Sequence, residues 1–142
     1  MFEIVIKRSM LSKKSLAALF DYFSDFTTTN EWDPNTVKTI LLNGDGGIGS
    51  EYSNTSKFNG KESSLVYRVI ELKKNELVRL RGENKNLVAV DTMTFRPVAE
   101  GVEFTYEARF KLKGIAKLAT PFLRKAFEKL GDDAEKGLAK VL

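Results

Sequence analysis

The chain has 142 residues, a formal net charge of +4, ten phenylalanines, and neither cysteine nor histidine. That length suits one unit spanning residues 1–142 with a single sizeable core, and average apolar and charged fractions argue against disorder. The missing residue types exclude disulfide scaffolds, thiol nucleophiles, the usual Ser-His-Asp arrangement and most zinc or iron sites, while basic residues interleaved with acids give no stripe for nucleic acid.

Residues 2–8 (FEIVIKR) are rich in β-branched and aromatic side chains and predict a first strand. Ser12 offers an N-cap to a helix over 13–24, whose Leu16, Leu19, Phe20 and Phe23 share one face. A shorter helical segment over 25–32 stops before Pro34. Period-two patterning then sets in, broken by a turn signal about every 8 to 12 residues. It predicts strands over 36–42, 49–58, 61–72, 76–82, 87–96 and 102–112, with Asn59-Gly60 the strongest hairpin signal. Val102, Phe104, Tyr106, Ala108 and Phe110 alternate with polar residues, so one sheet face is buried and the other wet. After Gly114, the residues Ile115, Leu118, Phe122, Ala126, Phe127, Leu130, Ala134, Leu138 and Val141 form one stripe at helical spacing, predicting a single long helix that Pro121 could kink and Gly131 and Gly137 weaken.

The expected fold class is α+β: a curved antiparallel sheet of about seven strands wrapped around a long C-terminal helix, with two short helices after the first strand. A twisted sheet that curls around one helix splays its hairpins, and side chains from the two layers need not meet. The expected result is an apolar ligand cavity of about 300 to 1,000 Å³, unless the phenylalanines fill it.

Several local strings carry a resemblance. Phe20-Asp21-Tyr22-Phe23-Ser24-Asp25-Phe26, Glu31-Trp32-Asp33-Pro34 and Gly47-Ile48-Gly49-Ser50-Glu51-Tyr52 resemble the N-terminal half of polyketide cyclase/dehydrase-like proteins. Val69-Ile70-Glu71-Leu72, Phe95-Arg96-Pro97-Val98 and Gly101-Val102-Glu103-Phe104 extend the resemblance over nearly the whole chain. It implies the helix-grip fold of the START-related SRPBCC superfamily and an apolar partner such as a lipid or polyketide, in a superfamily where only some members are enzymes.

Candidate ligand-binding residues follow from strand parity and that architecture: Trp32, Tyr52, Tyr67, Met93, Phe95, Phe104, Tyr106, Phe110, Leu118 and Phe122. Trp32 reads first as a packing anchor at a helix-to-strand corner and second as a cavity residue. For Tyr52, Tyr67 and Tyr106, core packing and ligand orientation are balanced readings. The stripe through Leu118, Phe122, Ala126 and Phe127 reads as core that would also close the cavity. A symmetric turn at 84–86 sets Arg79 opposite Asp91, giving either an outward salt bridge or a polar anchor inside the cavity. The outward face is preferred because charges stay solvated, and a bulge near Asp91 would reconcile its parity with Val88 and Val90.

No motif requires catalysis. An enzyme built on this chain would be a cyclase, aromatase or dehydratase, with Asp91 and Tyr106 the candidate acid–base groups. No metal or cofactor is expected. Glu3, Lys7, Arg8, Lys13 and Lys14 interrupt any signal-peptide apolar run, and no stretch is long and apolar enough for a membrane span. The expectation is a cytoplasmic monomer or homodimer without integral membrane association, with peripheral contact or a protein-partner role left open by the basic final helix.

Overall fold

A computed structural model describes residues 3–142. The elements in order are β1 (Ile4–Ser12), α1 (Leu16–Ser24), a 3₁₀ turn (Phe26–Thr28), α2 (Thr29–Trp32), β2 (Thr36–Asn43), β3 (Glu51–Phe58), β4 (Lys61–Lys73), β5 (Leu77–Glu83), β6 (Leu87–Val98), β7 (Gly101–Leu112), a second 3₁₀ segment (Gly114–Ala119) and α3 (Thr120–Val141). The strands form one antiparallel sheet in the order β1-β7-β6-β5-β4-β3-β2, and α3 packs against its inner face in a helix-grip fold. Phe2, expected to open β1, lies outside the described residues.

Three local expectations are corrected. Helix α1 is capped by Ser15, whose Oγ accepts from Ala18 N at 3.1 Å. Ser12 instead ends β1, accepting from Lys14 N and donating to the Leu142 carbonyl at 2.9 Å. The C-terminal region is not one helix, because the Gly114–Ala119 stretch is 3₁₀ and Pro121 stands at the start of α3. The turn between β5 and β6 is one residue longer than the symmetric 84–86 reading. Asn84 Oδ1 accepts from the backbone N–H of both Asn86 and Leu87 at 2.8 and 2.9 Å, an Asx arrangement that spreads the turn over 84–87. Leu80 therefore pairs with Asp91, and Arg79 with Thr92. A one-residue change of register exchanges the faces of a strand.

The core has two unequal halves. Against α1, the rings of Phe20, Phe23, Phe95 and Phe104 pack together, with Phe23 stacked on Phe104 at 4.4 Å between centroids. At the other end, Phe127 of α3 lies between Phe58 and Phe110, at 4.4 and 4.5 Å. Glycines let α3 approach closely: a Cβ on Gly131 would collide with Ile6, and one on Gly137 with the Trp32 carbonyl oxygen. The glycines that would weaken an isolated helix are what seat this one.

Candidate functional site: a cavity between sheet and terminal helix

The phenylalanines fill only the α1 half. Between the sheet and α3 remains a cavity of about 290 Å³, at the lower end of ordinary small-molecule sites. Its more exposed end is bordered by Asn84, Asn86 and Leu87 of the β5–β6 turn, with Leu112, Ala116 and Leu123. Its closed end is formed by the buried Phe26, Trp32, Tyr67 and Asp91, with Tyr106 beside them. The β3 side adds Asn54, Ser56 and Phe58, and α3 adds Phe127, Leu130, Gly131 and Ala134.

Each side chain at the closed end is placed by its element. Tyr67 on β4 faces Gly82 across the strand pair, and its ring occupies the space a Cβ at Gly82 would need, 2.7 to 2.8 Å from that position. Trp32 ends α2 and meets Tyr106 edge to face at 5.6 Å between centroids. Asp91 shares the inner face with Leu80, Met93 and Phe95, and Tyr106 Oη donates to its Oδ2 at 3.3 Å. Asp91 Oδ1 and Trp32 Nε1 are both buried without a hydrogen-bond partner among the described residues. Native structures leave few such atoms, and each asks for an explanation.

Of the residues singled out from sequence, Trp32, Tyr67, Asp91, Tyr106, Phe110 and Phe127 line this cavity. Tyr52 does not, being packed against Phe26 in the core. Met93, Phe95 and Phe104 are buried in the core but form no part of the cavity wall. Leu118 and Phe122 point outward, 75% and 84% exposed, as does Ile115 at 88%. For Ile115 and Leu118 the reason is the 3₁₀ segment, which advances three residues per turn rather than 3.6, so a stripe counted at helical spacing loses its phase before α3 begins. Phe122 lies within α3, five residues and so about 140° around the helix from the buried Phe127. The preferred outward face for Asp91 is also overturned. It is 5% exposed and turned inward, no bulge interrupts β5–β6 pairing, and Arg79 lies on the outer face with Glu71 and Thr92. Sequence reasoning missed the polar wall of Thr29, Asn54 and Ser56. Its available signal was the parity of β3, where Asn54, Ser56 and Phe58 follow the inward Tyr52 at every second position. Asn54 Nδ2 donates to Thr39 Oγ1 at 2.8 Å, and Ser56 Oγ to Asn54 Oδ1 at 2.9 Å, fixing that wall.

A family model described as polyketide cyclase/dehydrase and lipid transport matches residues 3–142. The chain belongs to that family. The fold is similar to that of a START superfamily protein from Mycobacterium smegmatis (TM-score 0.77, 13% identity, covering 94% of this chain and 93% of the other). It is also similar to the Zhui aromatase/cyclase from Streptomyces sp. R1128 (0.77, 10% identity, 99% and 97%) and to the ginseng major latex-like protein 151 from Panax ginseng (0.65, 11% identity, 96% and 99%). No curated protein matches the chain in sequence.

In this member of the polyketide cyclase/dehydrase and lipid transport family, the closed end of the cavity is electrostatically unusual. Burial raises the Asp91 carboxyl to about 7, against the lowering effect of the Tyr106 hydrogen bond, and Asp33 adds to the rise. Asp33 is itself raised by burial, although it accepts from Asn35 N at 3.0 Å and Thr36 Oγ1 at 2.9 Å. The Tyr67 and Tyr106 hydroxyls are pushed well above the ordinary tyrosine value by burial and then by the nearby Asp91 charge. The tyrosines therefore keep their protons at neutral pH, whereas the Asp91 carboxyl can hold or release one there and offers a hydrogen bond in either state. Among the described residues, no three of His, Cys, Asp or Glu converge as metal ligands, and no helix is long and apolar enough to cross a membrane.

Proposed function

We propose that this chain binds, and carries, an apolar small molecule such as a lipid or polyketide, with the ligand's body along the Phe58–Phe110–Phe127–Leu130 wall and its polar end at Asp91, Tyr106 and Trp32. The observation that carries this reading is an apolar cavity whose closed end keeps an indole N–H and a carboxylate oxygen without partners. A partnerless buried polar atom costs about 1–3 kcal/mol, a cost that a ligand's polar group would relieve after a small adjustment of the wall. The family's description, which joins polyketide chemistry with lipid transport, agrees in ligand class.

The test is native mass spectrometry of freshly purified protein, followed by denaturing extraction. A reproducible added mass that extracts as an apolar compound is expected. A clean apo mass, with no thermal stabilisation by lipids, sterols or polyketides, would overturn the reading.

The same carboxyl supports a second reading, an acid–base cyclase, aromatase or dehydratase. With a pKa near 7 and Tyr106 beside it, Asp91 has the balance of protonation states that general acid–base catalysis uses. Turnover by the wild type that Asp91→Asn abolishes while ligand affinity persists would establish it, and equal turnover in both would remove it.

A further inference from the structure

Among the described residues, the cavity wall contains no basic side chain. Its polar side chains are the hydroxyls of Thr29, Ser56, Ser63, Tyr67 and Tyr106, three amides, one indole and the two carboxylates Asp33 and Asp91. Two basic groups do come near. Arg8 lies behind Gly131, where a Cβ would sit 3.1 Å from its Nη2. Its guanidinium is held by three acids, Asp132 at 2.7 Å, Glu135 at 3.2 Å and Glu128 at 3.6 Å. Lys113 stands by the exposed end, but its ammonium donates to Glu83 at 2.6 Å and to the Asn84 carbonyl at 2.9 Å. Both charges are already met by carboxylates outside the wall.

We propose that the cavity selects uncharged, hydroxyl-bearing apolar molecules and rejects the corresponding carboxylates, an inference that rests on the cavity being the binding site. A carboxylate moved into this space would leave water, meet no positive charge, and lie near two other carboxylates. A hydroxyl carries both a donor and an acceptor. It can donate to an Asp91 oxygen or accept from a tyrosine hydroxyl or the Trp32 N–H without bringing a charge. Long-chain alcohols, sterol-like alcohols and phenols have this chemistry; free fatty acids do not.

The test compares matched pairs on the wild-type protein: decanol against decanoic acid, and naphthol against naphthoic acid, by isothermal titration near pH 8, where both acids are ionised. Trp32 is the chain's one tryptophan, so its emission reports whether the aliphatic pair reaches the cavity. The hydroxyl member is expected to bind about tenfold tighter or more in each pair, and Asp91→Asn to narrow the gap by admitting the acid. An acid that binds as tightly as its alcohol would overturn the selectivity while leaving the cavity as a binding site. Binding of neither member in either pair would overturn the cavity reading itself, and the selectivity with it.

Discussion

Leu80 stands directly opposite Asp91 across the β5–β6 hairpin, so the carboxylate shares the inner face of the sheet with a leucine that is 1% exposed. Cross-strand partners lie on the same side of the pleat. The state of the carboxyl descends from that pairing: it is buried with one oxygen held by Tyr106 and the other partnerless, while Arg79 is turned to the outer face.

Stability should fall as pH rises. The folded-state pKa of Asp91 is raised to about 7, whereas in the unfolded chain it is about 3.9. Between those values the native state holds the proton that the unfolded state has lost, so unfolding becomes easier with increasing pH and levels off above about 7. The full difference amounts to roughly 4 kcal/mol. Groups held low by ion pairs, such as Glu83 and Asp133, act in the opposite direction at more acid pH. The informative quantity is thus the difference between proteins: Asp91→Asn should gain on the wild type progressively from about pH 4 to pH 7. Urea denaturation across that range checks it, and a difference independent of pH would place the carboxylate in water.

Gly82→Ala should disturb the cavity without touching its apolar wall. The new methyl would press on the Tyr67 ring, which lies flat over the glycine, and overpacking of this kind costs about 1–3 kcal/mol. Denaturant midpoints should drop accordingly, and ligand affinity should fall with them as Tyr67 leaves the closed end. An unchanged midpoint would mean the ring is free to move aside.

The strands, their order of appearance and the two short helices are legible in the sequence because alternation and turn residues are local signals. Two features that shape the cavity are not legible, each for a physical reason. The face of Asp91 depends on whether the turn closes over 84–86 or 84–87, a choice made by the Asn84 side chain reaching two backbone N–H groups. The division of the phenylalanines between a filled half and an open half depends on which rings α1 covers. Parity on β6 and β7 puts Phe95, Phe104 and Phe110 on the same side, yet Phe23 stacks on Phe104 while Phe110 meets Phe127 beside the cavity.

The phase of the terminal helix gives a paired prediction. Phe127 is 2% exposed and packed between Phe58 and Phe110, so Phe127→Ala should cost about 3–5 kcal/mol. Phe122, five residues earlier on the sequence stripe, faces outward, and Phe122→Ala should change stability by about 0.5 kcal/mol or less. Thermal unfolding of the two variants side by side decides it. Equal losses would return Phe122 to the core and restore the single uninterrupted stripe.

Gly137→Ala is the sharpest test of how α3 closes the site. On helix propensity alone the change is favourable by about 1 kcal/mol. The Cβ, however, would occupy the position of the Trp32 carbonyl oxygen and come within 3.1 Å of Pro34 Cδ; the first is backbone and the second is locked in the proline ring, so neither can swing away like a flexible side chain. Either the helix or the Trp32–Pro34 corner must shift, so a net loss of about 1–3 kcal/mol is expected. The shift would also move Trp32, whose ring forms part of the closed end, so its emission should change in the folded variant. A gain in stability with unchanged emission would show that α3 rides higher over this corner, and would loosen the geometry that holds the indole N–H beside Tyr106.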